Sequence, residues 1–396
     1  MIPAWEVFVV FLRLGLTSFG GPVAHLGYFR DAFVARRRWF SEQAYADIVA
    51  LCQFLPGPAS SQVGMVVGLS RAGLPGALAA WIGFTLPSAV ALIVFALGLS
   101  RYGSLIPAGA LHGLKVAAVA VVAQAVWAMA RSLCPDAPRI TLMALAAVAV
   151  SLAPSPACQL GVMLLAGLIG ARRFRGGAAV PHEPLSVPVG HGVALLCLCA
   201  FFVLLVGLPF AAQASGDHAV ALFDAFYRAG ALVFGGGHVV LPLLQTAMVP
   251  PGWVDTDTFL AGYGAAQAVP GPLFTFAAFL GAAGTQAPNG WAGGALGVVA
   301  IFAPSFLLVF GTLPFWERLR RHGAMRAALA GVNAAVVGLL LAALYHPVWT
   351  SAVLSPADFA LALLGLAALA VWRVPPWAVV LACALAGWGL QAAGIA

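Results

Sequence analysis

Charged side chains are scarce in this sequence. Asp, Glu, Lys and Arg make up 8% of its 396 residues and hydrophobic residues make up 62%, whereas a soluble domain carries about 25% charged residues. This shortage excludes a sizeable soluble domain. Apolar runs long enough to cross a hydrocarbon core of about 30 Å recur along the chain, at 75–98, 109–130, 191–213 and 326–345. The sequence therefore predicts an all-α integral membrane protein.

Motifs for enzymatic or metal chemistry are also missing. The sequence has no paired carboxylate site, no zinc HExxH motif and no Walker A loop, and its six cysteines show no CxxC spacing. No catalytic residue, metal or cofactor is predicted, and no ATP-driven engine is predicted, so energy, if any is used, should come from an ion gradient or the membrane potential. The net charge of +7 lies mostly in short loops, where basic residues orient membrane helices, so nucleic acid is not a predicted partner.

What the sequence does contain is one group of motifs that occurs twice at a nearly constant offset. The first copy consists of Arg13, Gly15, Phe19, Gly20, Gly21, Gln53, Pro56, Gly57 and Pro58, and the second of Arg228, Gly230, Phe234, Gly235, Gly236, Gln267, Pro270, Gly271 and Pro272. This duplication predicts two transporter repeats, 1–171 and 220–396. Between them, 172–219 is predicted to hold a basic cytoplasmic linker and a connecting transmembrane helix.

Loop charge predicts opposite orientations for the two repeats. The basic stretch 30–38 of the first repeat corresponds to the uncharged 240–253 of the second, whereas the basic stretch 318–326 of the second corresponds to the region of the single Arg101. Equivalent loops with opposite positive-inside signals indicate inverted topology. Each repeat is predicted to contain two broken, re-entrant helical hairpins and about four spanning helices. Full crossing by the first segment, 5–21, stays open as an alternative.

The Pro-Gly-Pro of each repeat predicts a helix broken at membrane depth, which is tolerated only inside protein or beside a wet cavity. The helix that follows begins at the second proline, and its first-turn N–H groups and dipole suit an oxyanion. Ser60 and Ser61 add hydroxyl donors there in the first repeat. Gln53 and Gln267 either contact the anion or satisfy the broken backbone.

Arg13 and Arg228 occupy equivalent positions in apolar segments, where a guanidinium costs about 2.5–3.5 kcal/mol on insertion scales. Its planar set of donors suits a tetrahedral oxyanion, so the two arginines are predicted to supply charge to one anion site. The alternatives are ion pairs, of Arg13 with Glu6 or Asp31 and of Arg228 with Asp224.

Lys115 is another cation within an apolar span, and its repeat counterpart is Asn333. It either adds asymmetric charge to the substrate path or extends to the membrane interface. His25, His112 and His238 lie near hairpins or span ends. Each is either an interfacial histidine or a proton carrier, so coupling to protons stays open.

The motifs resemble those of the chromate ion transporter (CHR) family. The resemblance rests on segments 11–22, 53–58, 234–238 and 267–272 and covers nearly the whole chain. It implies a secondary active transporter of the bacterial inner membrane that exports chromate, confers chromate resistance and uses the proton motive force, with sulfate as competitor. It places the functional motifs on Arg13, Phe19, Gly20, Gly21, Gln53, Pro56, Gly57, Pro58 and their second-half equivalents, although Gly237 replaces Pro22 at one tip.

Other functions stay open. One is a permease or channel for sulfate or another oxyanion. A second is a membrane-embedded lipid-phosphate phosphatase, because the segment 58–61 is similar to elements of such enzymes, although no carboxylate lies nearby in sequence to act as a base. The predicted partners are a chromate- or sulfate-like oxyanion and the lipid bilayer, and a homodimer stays open.

Overall fold

A computed structural model of the chain describes residues 2–174, 189–319 and 322–394. No β-strand occurs among the described residues, which form helices and their connections. Five described helices are long and apolar enough to cross a membrane: Ala59–Tyr102, Ala108–Leu133, His191–Ser215, Gly290–Phe315 and Gly323–Ala352. The chain is an all-α, multi-pass membrane protein, as predicted. Of the predicted linker at 172–190, residues 175–188 lie outside the described residues, as do Arg320 and Arg321.

The first half forms seven α-helices in its described part. They are α1 (Ala4–Thr17), α2 (Gly21–Arg30, continued by a π-helical turn Asp31–Arg36), α3 (Glu42–Phe54), α4 (Ala59–Tyr102), α5 (Ala108–Leu133), α6 (Ala137–Leu152) and α7 (Pro156–Arg173). Ser41, Asp136 and Ser155 cap α3, α6 and α7, each accepting a hydrogen bond from a first-turn N–H. Such caps satisfy N–H groups that lack partners within the helix.

The second half repeats this order after the connecting helix α8 (His191–Ser215). Its helices are α9 (His218–Ala231), α10 (Val240–Met248), α11 (Thr256–Ala268), α12 (Phe276–Ala283), α13 (Gly290–Thr312), α14 (Trp316–Leu319), α15 (Gly323–Ala343), α16 (Thr350–Ala352), α17 (Pro356–Ala370) and α18 (Pro376–Ala392). Short 3-10 turns, Gly237–Val239 and Leu273–Thr275, lead into α10 and α12. Each half thus starts with two broken helix pairs and continues with longer helices.

Helix α4 consists of two arms joined by a sharp kink. Its backbone is non-helical at Ala72–Gly73, and a Cβ atom on Gly68 would collide with the backbone of Gly76. Residues eight positions apart in a straight helix are separated by about 12 Å, so the two arms fold back against each other. The second arm corresponds to the predicted span 75–98, and the first arm is the helix predicted to begin after the Pro-Gly-Pro.

Glycines let the broken helices pack closely against long ones. A Cβ atom on Gly15 of α1 would lie 2.8 Å from the carbonyl oxygens of Gly83 and Phe84 in α4. Gly230 of α9 packs in the same way against the carbonyl of Ile301 in α13. Close approach at small residues is a common basis of helix packing in membranes. In each half, the first broken pair is therefore anchored on a long helix.

The connecting helix α8 shows the apolar outer surface of the molecule. Leu196, Phe202 and Phe210 are 69%, 58% and 67% exposed, and the helix carries no charged residue. Large apolar side chains of soluble proteins are mostly buried, whereas a bilayer offers them an apolar solvent. This helix therefore faces lipid along most of its length.

Candidate anion site at the broken helices

The four helix breaks meet in two pairs, and each pair joins the two halves of the chain. Gly57, in the Pro-Gly-Pro after α3, donates its N–H to the carbonyl of Val233 after α9, with an N–O distance of 2.7 Å. Gly271, in the Pro-Gly-Pro after α11, donates to the carbonyl of Ser18 after α1 at 2.9 Å. These crossed hydrogen bonds hold the breaks together in the protein interior.

Both positions require glycine. Gly57 has φ 116° and Gly271 has φ 103°, a region that residues with a Cβ atom rarely adopt. A Cβ atom would also lie 2.7 Å from Ser305 Oγ at Gly57 and 2.9 Å from Ser88 Oγ at Gly271. Ser88 and Ser305 follow the prolines within α4 and α13. The glycines therefore let each break approach a serine of a long helix.

A cavity of about 260 Å³ opens beside one of these crossings. The predicted residues Gly20, Gly21 and Gln267 line it, together with Gln124 of α5 and Arg373 of the α17–α18 turn. A small adjoining pocket extends it toward Gly271 and Leu273. The composite space is called the inner cavity below. It brings together the first break of one half and the second break of the other.

Three helical segments begin at the inner cavity. Helix α2 starts after Gly20, the turn Leu273–Thr275 starts after Pro272, and α18 starts at Pro376. The helix dipole adds positive potential at such ends. Pro376 has no N–H group, and the N–H groups of Thr275 and Ala378 donate to Pro272 O and Pro375 O, each at 3.0 Å. The convergence of the three helix starts gives the inner cavity positive potential for an anion without any metal.

The side chains of the inner cavity also favour an anion. Arg373 is exposed and is the one charged residue among the described residues that line it. Its backbone has φ 55°, which is uncommon for a residue other than glycine. Gln267 Nε2 is buried without a hydrogen-bond partner. His238 Nδ1 lies 2.9 Å from the Tyr263 hydroxyl, and its Nε2 faces Gly21.

Further polar atoms without hydrogen-bond partners are buried near the two crossed hydrogen bonds. They are Ser18 Oγ, His25 Nε2, Ser61 Oγ, Gln62 Oε1 and Thr85 Oγ1, on side chains at most 2% exposed. His25 Nδ1 lies 3.4 Å from Ser60 Oγ, and Gln62 Nε2 donates to Pro56 O at 2.7 Å. Buried polar atoms are normally satisfied by protein or water. The predicted serines thus lie in a polar interior suited to water or a ligand.

Arg228 lines a cavity that Arg13 does not line, and one anion site shared by the two arginines stays a prediction. Arg13 is exposed on α1 and has no ion pair among the described residues. Its candidate partners pair elsewhere: Asp31 Oδ2 lies 2.7 Å from Arg36 and Glu6 Oε1 3.7 Å from Arg37.

Arg228 forms the alternative ion pair with Asp224. Its Nε and Nη2 donate to the two carboxylate oxygens at 2.9 and 2.6 Å. The residues are one helical turn apart, which places their side chains on the same face of α9. A separate cavity of about 340 Å³ adjoins this pair, with Gln159 and Thr246 nearby. The ion pair uses two of the five N–H donors of Arg228 and neutralises its charge, which weakens its attraction for an anionic substrate.

Arg228→Ala should therefore destabilise the protein more than it alters substrate binding. Asp224 has a side chain 5% exposed, and removing its partner would leave a buried carboxylate unpaired. We expect the free energy of unfolding to fall by about 3 kcal/mol. This value is at the lower end of the range for breaking a buried ion pair, because the Arg228 side chain is itself 34% exposed. Thermal unfolding in detergent should show the loss, and Arg228→Ala with Asp224→Ala should recover most of it. Equal stability of the single variant and wild type would contradict this role.

The remaining predicted residues are distributed unequally between the halves. Gln53 and Gly235 are exposed, and neither lines the inner cavity, unlike their counterparts Gln267 and Gly20. Asn333 Oδ1 lies 3.5 Å from the position of a Cβ atom on Gly235.

The predicted aromatic residues lie near the breaks, whereas Lys115 lies at another cavity. The Phe19 ring packs 6.2 Å from that of Trp377 in α18, and Phe234 is partly buried. The amine of Lys115 donates to Asp257 at 2.9 Å and lines a different cavity. Phe19 therefore lies near the start of α18, whereas Lys115 lies away from the breaks.

Two residues of the inner cavity lie outside the repeated motifs. Gln124 lies among apolar residues of α5, and Arg373 precedes the double proline that starts α18. Polar side chains within membrane helices are costly and often functional, so Gln124 carries a usable signal. Arg373 resembles any loop arginine in sequence, and its position becomes visible only when α17 and α18 pack against α5.

No solved structure matches this chain. The chain is 29% identical to a chromate transport protein of Pseudomonas aeruginosa, over 97% of this chain and 91% of that protein. It is 25% identical to a chromate transport protein of Cupriavidus metallidurans, over 85% of this chain and 81% of that protein. An uncharacterized transporter of Methanocaldococcus jannaschii is also 25% identical, over 86% of this chain and 83% of its own length.

The family model for the chromate transporter matches residues 5–171 and again residues 220–388. The two matches cover most of the chain and confirm the resemblance that rests on the repeated motifs. The chain therefore belongs to the chromate transporter family.

Proposed function

We propose that this protein is a secondary active transporter that exports chromate across the bacterial inner membrane and thereby confers chromate resistance. The observation that carries the proposal is the inner cavity, where breaks from both halves meet around helix N-termini, an unpaired amide and one arginine. These donors suit a tetrahedral dianion. Relatives named chromate transport proteins point to chromate. Sulfate, with the same shape and charge, should compete.

The charged ends of the helices support an opening of the inner cavity toward the cytoplasm. Arg37 pairs with Glu6, and Arg71 stacks on Trp39 with its guanidinium 5.3 Å from the ring. This basic end is cytoplasmic by the positive-inside rule. The second arm of α4 leads away from it, α5 returns, and α18 runs antiparallel to α5. Arg373, before α18, therefore lies at the cytoplasmic end.

The crossed hydrogen bonds support two inverted repeats at 1–171 and 220–396. Gly57 and Gly271 are equivalent in the repeated motif, and so are their acceptors, Ser18 and Val233. A pseudo-two-fold axis would pass between the crossings. In transporters built this way, substrate binds where broken helices meet near the bilayer middle, and the halves rock to open each side in turn. We place chromate binding in the inner cavity.

Within that cavity, each group has a distinct part. Arg373 at the mouth supplies the positive charge, and the amides of Gln124 and Gln267 can donate to chromate oxygens. No carboxylate is among the described residues that line the inner cavity, so an anion meets no repulsion there. The N–H group of Gly21 at the start of α2 adds a backbone donor, whereas Pro376 at the start of α18 has no N–H and adds only the positive end of the helix dipole.

Uptake into everted membrane vesicles tests the proposal. Radiolabelled chromate should accumulate, and excess sulfate should suppress it. A dianion moving alone gains about 4.6 kcal/mol per 100 mV of potential, so collapse of the potential should stop accumulation. Additional slowing when only the pH gradient is collapsed would show proton coupling. Vesicles without the protein provide the control.

Three outcomes would contradict the proposal or replace it. Uptake of sulfate without uptake of chromate would make the protein a sulfate permease. Uptake that follows the potential alone, does not respond to collapse of the pH gradient and does not saturate with chromate concentration would indicate a passive channel. Release of phosphate from a lipid phosphate by the purified protein would indicate the phosphatase.

A further inference from the structure

A further cavity of about 650 Å³ lies away from the helix breaks. It is formed by the start of α5, the start of α11 and the end of α18, and it is called the outer cavity below. The same three helices line the inner cavity through Gln124, Gln267 and Pro376. Along α18, Pro376 and Gly387 are 11 residues apart, or about 16 Å. The two cavities thus occupy opposite ends of one helix triplet.

A small apolar cluster fills the space between the two cavities. It includes Ala117, Val379 and Cys383 and is separate from the main hydrophobic core of the described residues. The helices approach closely around it, because a Cβ atom on Gly113 of α5 would collide with the carbonyl of Cys383 in α18. Small side chains without polar anchors make a seal that can separate by a modest helix movement. This cluster, called the apolar seal below, separates the inner cavity from the outer cavity.

Lys115 gives the outer cavity its positive charge. It is the single lysine in the whole sequence, and its side chain is 12% exposed. Its amine donates to Asp257 of α11 at 2.9 Å, but that carboxylate is 72% exposed. The lysine is therefore held inside the cavity, whereas its partner is free to turn into water.

The carboxylate of Asp358 in this cavity is held by several hydrogen bonds. His112 Nε2 lies 2.8 Å from Asp358 Oδ1. Asp358 Oδ2 also accepts hydrogen bonds from the N–H groups of Leu354 and Ser355 and from the Ser355 hydroxyl. Such a capping arrangement satisfies the carboxylate fully. Asp257 is consequently the carboxylate in the outer cavity that can be displaced.

We infer that the outer cavity is a second oxyanion subsite, at which Lys115 Nζ binds the anion in place of the Asp257 carboxylate. This inference rests on the proposed transport function. While no substrate is present, the Asp257 carboxylate stays paired with the ammonium group of Lys115. A tetrahedral dianion that passes the apolar seal offers stronger charge and more acceptor oxygens, and Asp257 moves into solvent. The exchange keeps Lys115 from remaining unpaired at any stage.

Amine labelling tests the subsite directly, because no other lysine competes for the reagent. Right-side-out vesicles are treated with a membrane-impermeant amine-reactive ester, and modified Lys115 is quantified by mass spectrometry. Chromate or sulfate should slow labelling several-fold relative to chloride at equal ionic strength. Asp257→Asn should speed labelling in chloride and strengthen sulfate protection. Labelling confined to everted vesicles, or no protection by either anion, would overturn the inference.

Transport by paired variants separates a binding role from a structural one. Lys115→Gln should slow chromate transport by roughly tenfold, the effect of one charge-assisted hydrogen bond. Lys115→Gln with Asp257→Asn should match Lys115→Gln alone, because Asp257 acts through the lysine. A purely structural pair would instead show recovery in the double variant. Asp31→Asn with Arg36→Gln, which removes an exposed ion pair of 2.7 Å elsewhere, is the control.

Transport by the wild-type protein distinguishes a failure of the second subsite from a failure of the proposed function. If the wild-type protein moves chromate but sulfate and chromate fail to protect Lys115, the second subsite is wrong and the proposed function stands. If the wild-type protein moves neither anion, the proposed function fails and the second subsite fails with it.

Discussion

Gly271→Ala should abolish chromate transport. The backbone at Gly271 has φ 103°, a conformation that residues with a Cβ atom rarely adopt, and the new methyl group would lie 2.9 Å from Ser88 Oγ. The break must shift, and the hydrogen bond from Gly271 N to Ser18 O, now 2.9 Å, must lengthen or break. Because about 1.4 kcal/mol corresponds to tenfold, a loss of more than tenfold in uptake rate is expected.

Matched glycine substitutions show whether the loss of chromate uptake results from disturbing the crossed hydrogen bonds. Gly57→Ala should be equally harmful, since its methyl group would lie 2.7 Å from Ser305 Oγ. Gly207→Ala in α8 adds a methyl group with no atom within 4 Å and should transport normally. Protein amount in the membrane and thermal unfolding are measured alongside uptake. Wild-type uptake by Gly271→Ala would show that the crossing does not control transport.

The breaks could be predicted from sequence because their causes are local. A Pro-Gly-Pro removes backbone donors and permits unusual φ angles within three residues, so α3 and α11 end where the motifs indicate. The ion pair of Arg228 with Asp224 is equally local, since both residues lie on adjacent turns of one helix. What the sequence does not show is that Gly57 bonds to Val233 and Gly271 to Ser18, because those partners come from distant segments.

The exposure of Arg13 could not be predicted for the same reason. An arginine in an apolar segment suggests a buried charge, but the packing of α1 on α4 determines which face of α1 is covered. Gly15 contacts α4 and is buried, whereas Arg13, two positions earlier, is exposed. Charge at the inner cavity comes instead from Arg373, which lies outside the repeated motifs.

Equivalent motifs also occupy unequal environments. Gly20 and Gly21 border the inner cavity, whereas a Cβ atom on Gly235 would lie 3.3 Å from Leu133 and 3.5 Å from Met129. The duplicated motif alone would give both halves the same surroundings. Under the proposed function, this difference represents one of two states, with Gly20 and Gly21 bordering the inner cavity and Gly235 lying beside the end of α5. Local chemistry sets the breaks, and the packing of the helices decides which break is accessible.

Arg373→Asn should raise the chromate concentration for half-maximal uptake by roughly tenfold, the effect of one charge-assisted hydrogen bond. Asparagine tolerates the left-handed backbone found at φ 55°, so the variant removes the charge and the guanidinium donors without straining the α17–α18 turn. Arg373→Lys keeps the charge and loses the planar pair of donors, and an intermediate value is expected. Concentration dependence of uptake in everted vesicles measures all three proteins.

Arg131→Asn separates direct contact from long-range attraction. Arg131 is exposed near the end of α5, at the end of the molecule that also carries Arg373, but it does not line the inner cavity. The field of a surface charge is screened over about 8 Å at physiological ionic strength. Raising the salt concentration should therefore erase any effect of Arg131→Asn, whereas the effect of Arg373→Asn should persist. Equal effects of the two variants would mean that Arg373 attracts anions to the surface without binding chromate in the cavity.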